Sequence, residues 1–214
     1  MNLESRLLYA LVDLGYVKPA RAVDVTRQLI DGGADLIQVR AKNTPKTEIA
    51  ALAKELHAVT HPAQVPLILN DYPDLLAEVA AEGCHIGQGD GTVESARRVA
   101  GRACIVGKST HSIDQAIIAF NEGADYLGFG PLFATPTKPD AKPVGLTDVK
   151  TVYRTVALPI YCIGGIKLSN LPEVLEAGVE RACIVSDLLQ APDITEKTRR
   201  VKALLTRRPH GQAK

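Results

Sequence analysis

The sequence predicts an α/β fold, a single-domain (β/α)8 TIM barrel, and three observations lead there. Apolar, β-rich runs occur eight times, segments of helical periodicity separate them, and no G-x-G-x-x-G turn follows the first run. Strictly alternating strands and helices imply βαβ units and a parallel sheet. A missing Gly-rich turn argues against an open dinucleotide-binding sheet. Starts at 7 and 182 give about 25 residues per step, which suits a barrel near the small end of its size range.

The strands expected are Leu7–Val12, Leu36–Arg40, Leu67–Asn70, Cys84–Ile86, Ala103–Val106, Tyr126–Phe129, Leu158–Ile163 and Ala182–Val185. Helical spacing of apolar residues predicts Ala20–Asp31, Lys46–Thr60, Asp74–Ala81, Val93–Ala100, Ile113–Asn121, Thr147–Thr155, Leu168–Glu176 and Ile194–Thr206. A local echo supports the repeat: Asp31-Gly-Gly-Ala-Asp, Asn121-Glu-Gly-Ala-Asp and Glu176-Ala-Gly-Val-Glu each end a helix at a glycine and feed a strand. Ala81-Glu-Gly-Cys-His is a shorter version of it. The barrel is expected over residues 1–206, followed by a polar, frayed tail from Arg207 to Lys214.

Composition narrows the function classes. The 214 residues are 46% hydrophobic and 23% charged, which suits a globular protein with a sizeable core and excludes chain-wide disorder. Lys plus Arg (25) nearly balances Asp plus Glu (24), and 6 Tyr with 3 Phe and no Trp make a poor stacking surface, so nucleic acid is not an expected partner. No apolar run approaches a membrane span, and the charged start (Glu4, Arg6) makes a poor signal peptide, so the expected location is cytoplasmic. Cys84, Cys104, Cys162 and Cys183 form no C-x-x-C pair and read as buried reduced thiols in strand-like segments.

Barrel active sites form at the C-terminal ends of the strands, so polar residues there are the candidates. Gln38, Arg40 and Lys42 share one side of a strand end and make a donor set suited to phosphate or diphosphate, with a solvated strand end as the plainer reading. Asp71 and Asp90 close adjacent strands, after Asn70 and within Gly-Gln-Gly-Asp, and two such carboxylates suit Mg²⁺. A helix cap at Asp71 and a tight turn at Asp90 are the structural alternatives.

Further along lie Ser109 in Gly107-Lys-Ser-Thr-His111 and a long loop stiffened by Pro131, Pro136, Pro139 and Pro143. Thr135, Thr137 and Lys138 in that loop are donors suited to an anion, unless the loop is a rigid surface feature. The seventh run ends Ile163-Gly-Gly165-Ile and the eighth Val185-Ser186, where barrels often build a phosphate site from backbone N–H groups. Among the histidines, His57 and His61 read as surface, His85 as packing, and His111 as near the site or part of a helix cap.

Taken together these motifs resemble the thiamine-phosphate synthase family, within the wider group that includes the thiazole tautomerase. The resemblance runs from about Leu8 to Leu204. It is carried by Gln38-Val-Arg-Ala-Lys42, Asn70-Asp-Tyr-Pro-Asp-Leu75, His85-Ile-Gly-Gln-Gly-Asp90, Gly107-Lys-Ser-Thr-His111, Gly123 through Lys138, Cys162-Ile-Gly-Gly-Ile166 and Val185-Ser186. It implies a transferase that joins an aminopyrimidine methyl diphosphate to a thiazole phosphate, plain or carboxylated, releasing diphosphate. By the same resemblance Asp71 and Asp90 would bind one Mg²⁺, and Arg40, Lys42, Asn70 and Lys138 would hold the diphosphate. Gln38 would meet the pyrimidine, Ser109 would lie near the breaking bond, and Thr135 and Thr137 would border the thiazole. Gly165, Val185 and Ser186 would hold its phosphate, largely by backbone.

Two positions depart from the family pattern: Tyr72 stands where Arg is usual, and Lys108 where a small or apolar residue is usual. Both are expected at the mouth, with Lys108 a candidate to replace the missing Arg. The rival readings are a tautomerase with His111 as proton shuttle, a non-enzymatic sensor of thiamine precursors, and an unrelated lyase with a Schiff-base Lys42. The paired carboxylates and clustered cations favour the synthase, because proton transfer alone has no use for them. The partners expected are small molecules, with no membrane; the sequence leaves the oligomeric state open, a homo-oligomer included.

Overall fold

A computed structural model describes residues 2–101, 103–138 and 140–207. Eight strands close a barrel: β1 (Leu8–Asp13), β2 (Leu36–Arg40), β3 (Leu67–Asn70), β4 (Gly83–Ile86), β5 (Ile105–Thr110), β6 (Tyr126–Phe129), β7 (Ile160–Cys162) and β8 (Arg181–Ile184). Each pairs in parallel with the next, and β8 returns to β1 through Leu8–Ala182, Tyr9–Cys183 and Ala10–Ile184. The outer ring is α1 (Pro19–Asp31), α2 (Lys46–Thr60), α3 (Leu76–Val79), α4 (Val93–Ala100), α5 (Ile113–Asn121), α6 (Val149–Thr155), α7 (Leu171–Glu176), α8 (Ser186–Leu189) and α9 (Ile194–Thr206). Among the described residues, no helix is long and apolar enough to cross a membrane.

The glycine echo has the expected cause at three of four places. Gly33, Gly123 and Gly178 take φ of 96, 83 and 107°, the left-handed turn that only glycine adopts without steric cost. The fourth differs: α3 ends on Ala80, itself left-handed at φ 60°, and Gly83 instead begins β4. A Cβ at Gly83 would lie 2.4 Å from the Ile105 carbonyl oxygen, so this glycine serves strand packing.

Other boundaries move for identifiable reasons. β5 starts later than Ala103 and runs on to Thr110, because Lys108, Ser109 and Thr110 pair with Leu127, Gly128 and Phe129 despite their polarity. β7 is shorter than expected and starts just after Pro159, which has no N–H to offer the ladder. In place of one helix over Asp74–Ala81 there is a 3₁₀ turn, Pro73–Leu75, and then α3. Helix α7 starts at Leu171 rather than Leu168, and α8 is a short turn of helix that periodicity did not predict. Arg207 closes α9, and the rest of the expected tail, residues 208–214, lies outside the described residues.

Inside the barrel, Tyr9, Tyr126 and Tyr161 pack edge to face with ring centroids 5.3 to 5.8 Å apart. Gly107 on β5 makes room for them, since a Cβ there would lie 2.0 Å from Cζ of Tyr126. The N-terminal end is sealed by buried Arg181, which donates to the Glu4 carbonyl and carboxylate, and by the Tyr161 hydroxyl donating to the Arg6 carbonyl. The polar, open end is the other one. Cys84, Cys162 and Cys183 are buried as expected, and burial pushes the Cys84 and Cys162 thiols up to about 12. Cys104 departs from the expectation, half-buried just before β5, and no cysteine among the described residues is in a disulfide.

Candidate active site at the barrel mouth

A cavity opens among the C-terminal strand ends. Gln38, Arg40, Asn70, Ser109, Thr135, Thr137, Lys138, Gly165, Val185 and Ser186 line it, together with His85 and His111. Lys42, Asp71 and Asp90 do not line the cavity and form a charged rim beside it, where Lys42 donates to the Asp71 carboxylate.

The charged side is built on β1 to β4. Arg40 turns inward at the end of β2 and donates to Asp13 at 2.7 Å, a pair with only 14% and 2% of its side chains exposed. Asp13 also accepts from the Gly15 N–H at 2.9 Å, so a buried carboxylate fixes the guanidinium. Removing one partner of such a pair costs about 3–5 kcal/mol. Asp13 ends β1 as Arg40 ends β2, and reading the first strand end as the others were read would have found it.

Asp71 holds a left-handed φ of 67°, an uncommon conformation for a side-chain-bearing residue, and its N–H donates to the His85 carbonyl. It is no helix cap: the turn that follows makes no side-chain cap bond. Asp90 does close its own turn, accepting from the Gly87 N–H at 2.7 Å. Burial raises the Asp71 carboxyl; Lys42 opposes this and the neighbouring Asp90 adds to it. Burial acts upward on Asp90 too, but the Gly87 N–H, the hydrogen bond with Asp71 and the charges of Lys42 and Lys108 hold it below its ordinary value. Two carboxylates close enough to share a hydrogen bond present hard oxygen ligands with excess negative charge, a donor set that fits a divalent cation such as Mg²⁺. Inside the cavity, partial burial and the charge of Arg40 lower the Lys138 ammonium pKa.

Lys108 corrects an expectation. It does not enter the mouth; it is buried and donates to the carbonyls of Gly87 and Gly91 at 3.0 and 2.6 Å, bracing the turn that carries Asp90. Tyr72 does not line the cavity either and carries the Lys46 ammonium 5.5 Å above its ring. His85, expected to pack, lies in a buried hydrogen-bond chain that sequence reasoning missed. Gln38 donates to the Tyr9 hydroxyl, which lies 2.9 Å from that of Tyr126. The Tyr126 hydroxyl is 3.0 Å from His85 Nδ1, and His85 Nε2 is 2.9 Å from Ser109 Oγ.

One orientation that satisfies every polar group of the chain has each hydroxyl passing its proton onward from Gln38 and His85 carrying its proton on Nε2 toward Ser109. In that orientation the Ser109 hydroxyl proton is left free for the cavity. Burial keeps both tyrosines protonated and, with help from Lys138 and Lys108, lowers the His85 pKa to about 3, so the ring is neutral. Tyrosines within apolar strands read as core, and they are core; no sequence signal marks them as a polar chain.

The other side is backbone. Gly164 and Gly165 take φ of 98 and 66°, and a Cβ at either would lie 2.2 Å from Pro131 Cβ or 2.7 Å from Phe133 Cβ. The start of the long loop is zipped onto this turn, with Leu132 N–H donating to the Ile163 carbonyl at 2.8 Å and Phe133 N–H to that of Gly164 at 3.0 Å. Farther on, the Thr137 hydroxyl is 3.0 Å from that of Tyr16, tying the loop to the β1 side. His111 donates from Nδ1 to the Gly130 carbonyl, while Ser112 is the residue that caps α5.

Fold and site define an α/β-barrel enzyme with an ion-rich mouth. A family model described as thiamine monophosphate synthase matches residues 8–188. The chain belongs to that family, which makes it a transferase of thiamine biosynthesis. A thiamine-phosphate synthase of Chloroflexus aurantiacus is 40% identical over 200 residues, covering 93% of this chain and 92% of the relative. One of Thermus thermophilus is 42% identical over 184 residues, covering 86% and 88%. The structure of thiamine phosphate pyrophosphorylase from Pyrococcus furiosus superposes with a TM-score of 0.88 at 33% identity, covering 96% of this chain and 98% of that one.

Proposed function

We propose that the mouth joins 4-amino-2-methyl-5-(diphosphooxymethyl)pyrimidine, at its methylene, to the ring nitrogen of 4-methyl-5-(2-phosphooxyethyl)thiazole or its 2-carboxy form, giving thiamine phosphate and diphosphate. The observation that carries this reading is the division of one cavity between ionic side chains and a glycine-lined backbone turn. One reactant loses a diphosphate; the other keeps its phosphate.

The carbon–oxygen bond to the diphosphate breaks first, and the electron-rich aminopyrimidine carries the positive charge left on its methylene. Arg40, Lys42, Asn70 and Lys138 bind the departing diphosphate, with Arg40 aimed by Asp13. Asp71 and Asp90 would hold one Mg²⁺ per site, which supplies neutralisation of the charge developing on the leaving group. Gln38 orients the pyrimidine, and the Ser109 hydroxyl, its acceptor side occupied by His85, donates to the reactants at the breaking bond. Thr135 and Thr137 border the thiazole, and backbone at Gly165, Val185 and Ser186 holds its phosphate, so the ring nitrogen is positioned to attack the methylene. No protein nucleophile or strong base is required, which agrees with a His85 kept neutral and hydrogen-bonded on both nitrogens. Four free cysteines support a reducing, cytoplasmic setting.

The test is an assay with both substrates and Mg²⁺, following diphosphate release and thiamine phosphate. Product that requires both substrates and disappears with EDTA is the expected result. Thiazole phosphate binding without product overturns the reading in favour of a sensor, and isomerisation of a thiazole substrate dependent on His111 favours a tautomerase.

A further inference from the structure

At the sealed end of the barrel, opposite the mouth, three side chains converge that the proposed chemistry does not use. His57 lies in the last turn of α2, and His61 directly follows the helix with helical backbone angles, so the two are one turn apart on one face. Their rings lie 5.0 Å apart between centroids. Glu82, just before β4, reaches both: its Oε1 is 3.2 Å from His57 Nε2 and 3.5 Å from His61 Nδ1. One ligand atom from each of the three lies within 4.8 Å of the others.

We infer that His57, His61 and Glu82 form a binding site for a Zn²⁺-class transition-metal ion, tying the end of α2 to the start of β4. Four ligands set tetrahedrally at 2.0–2.1 Å from zinc stand about 3.3 Å from one another, close to the two measured separations. The donor set of two imidazoles and one carboxylate with a fourth position left for water is a zinc set. Nitrogen donors favour Zn²⁺, Co²⁺ or Ni²⁺ over Mg²⁺.

The carboxylate is already oriented. Its other oxygen, Oε2, accepts the Leu67 N–H at 2.8 Å, and the Glu82 N–H donates back to the Leu67 carbonyl at 3.1 Å, leaving Oε1 for the ion. Such an outer hydrogen bond is the usual device for aiming a ligating group. His57 and Glu82 are 17% and 18% exposed, while His61 is 71% exposed, which gives the ion a path in from solvent. The expectation that both histidines are plain surface residues therefore fails for His57.

The experiment is zinc titration of the untagged full-length chain, by calorimetry and by thermal melting, against His61→Asn and Glu82→Gln. Both variants keep Asp71 and Asp90, so any zinc held at the mouth is common to all three proteins. The wild type is expected to bind one zinc equivalent more than either variant. At zinc a hundredfold above Kd its Tm should rise by roughly 5–10 °C more than theirs. Co²⁺ should give the intense visible absorption of a four-coordinate site in the wild type alone, and excess Mg²⁺ should not displace it. Equal zinc stoichiometry in wild type and His61→Asn overturns the inference, and so does a cobalt spectrum that Mg²⁺ abolishes.

Discussion

The two sides of the mouth are built by opposite means. The β1 to β4 side presents charged side chains: Arg40 on Asp13, Lys42 on Asp71, and Asp71 against Asp90, with both carboxylates shifted from their ordinary pKa. The β6 to β8 side presents main chain, with Gly164 and Gly165 in left-handed conformations and the start of the long loop hydrogen-bonded across them. A leaving diphosphate gains charge as its bond breaks, so its partners must respond to a charge that changes. A phosphate that only anchors its molecule keeps its charge, and fixed N–H groups suffice for it.

The largest effect should come from the charged side. Replacing Asp71 and Asp90 together with Ala is expected to lower kcat by about 10³-fold, with a smaller change in KM for the thiazole phosphate. Steady-state kinetics across a Mg²⁺ series would check this, and a kcat within a few-fold of wild type would break the contrast.

On the glycine side the expected loss is of stability and binding. In Gly164→Ala a Cβ must fit 2.2 Å from Pro131 Cβ on a backbone at φ 98°. Strain and overpacking together should cost about 2–4 kcal/mol in a urea melt and raise KM for the thiazole phosphate. A variant of wild-type stability with only kcat reduced would show that this turn takes part in bond breaking.

The smallest effect tests the chain of hydrogen bonds between the two sides. His85 stays neutral in the fold with its pKa lowered to about 3, whereas an unfolded histidine takes up a proton near about 6.5. Between those values the unfolded chain binds more protons, so stability falls as pH drops below about 6.5, by up to about 1.4 kcal/mol per unit. His85→Gln should remove that slope, so the wild type should lose about 2 kcal/mol more than the variant between pH 7 and pH 5. Urea melts at the two pH values measure the difference, and identical slopes would mean that His85 is not held neutral.

Much of this architecture was legible in the linear chain. Short apolar runs marked the strands and period-3.6 patterns the helices, because a closed barrel repeats one unit that buries strands on both faces and helices on one. Gln38, Arg40, Asp71 and Ser109 could be picked out because a parallel barrel brings all its strand ends to one rim, so polarity at a strand end carries positional information. Lys108 had the same linear signal and a different fate. Side chains alternate along a strand, so Ser109 enters the mouth while Lys108 turns outward to the Asp90 turn, and which of the two faces in depends on register with β4 and β6.

By itself, then, the sequence determined the fold class, the family and the set of strand-end residues, because these depend on local periodicity and on motifs of contiguous residues. Only the tertiary structure decided the partners: Asp13 with Arg40, Tyr126 with Tyr9 and His85, Glu82 with His57 and His61. Most of these pairs join residues 25 or more positions apart. Their contact energy depends on distances of a few ångströms that exist only once the barrel has closed, and no pattern of neighbouring residues encodes them.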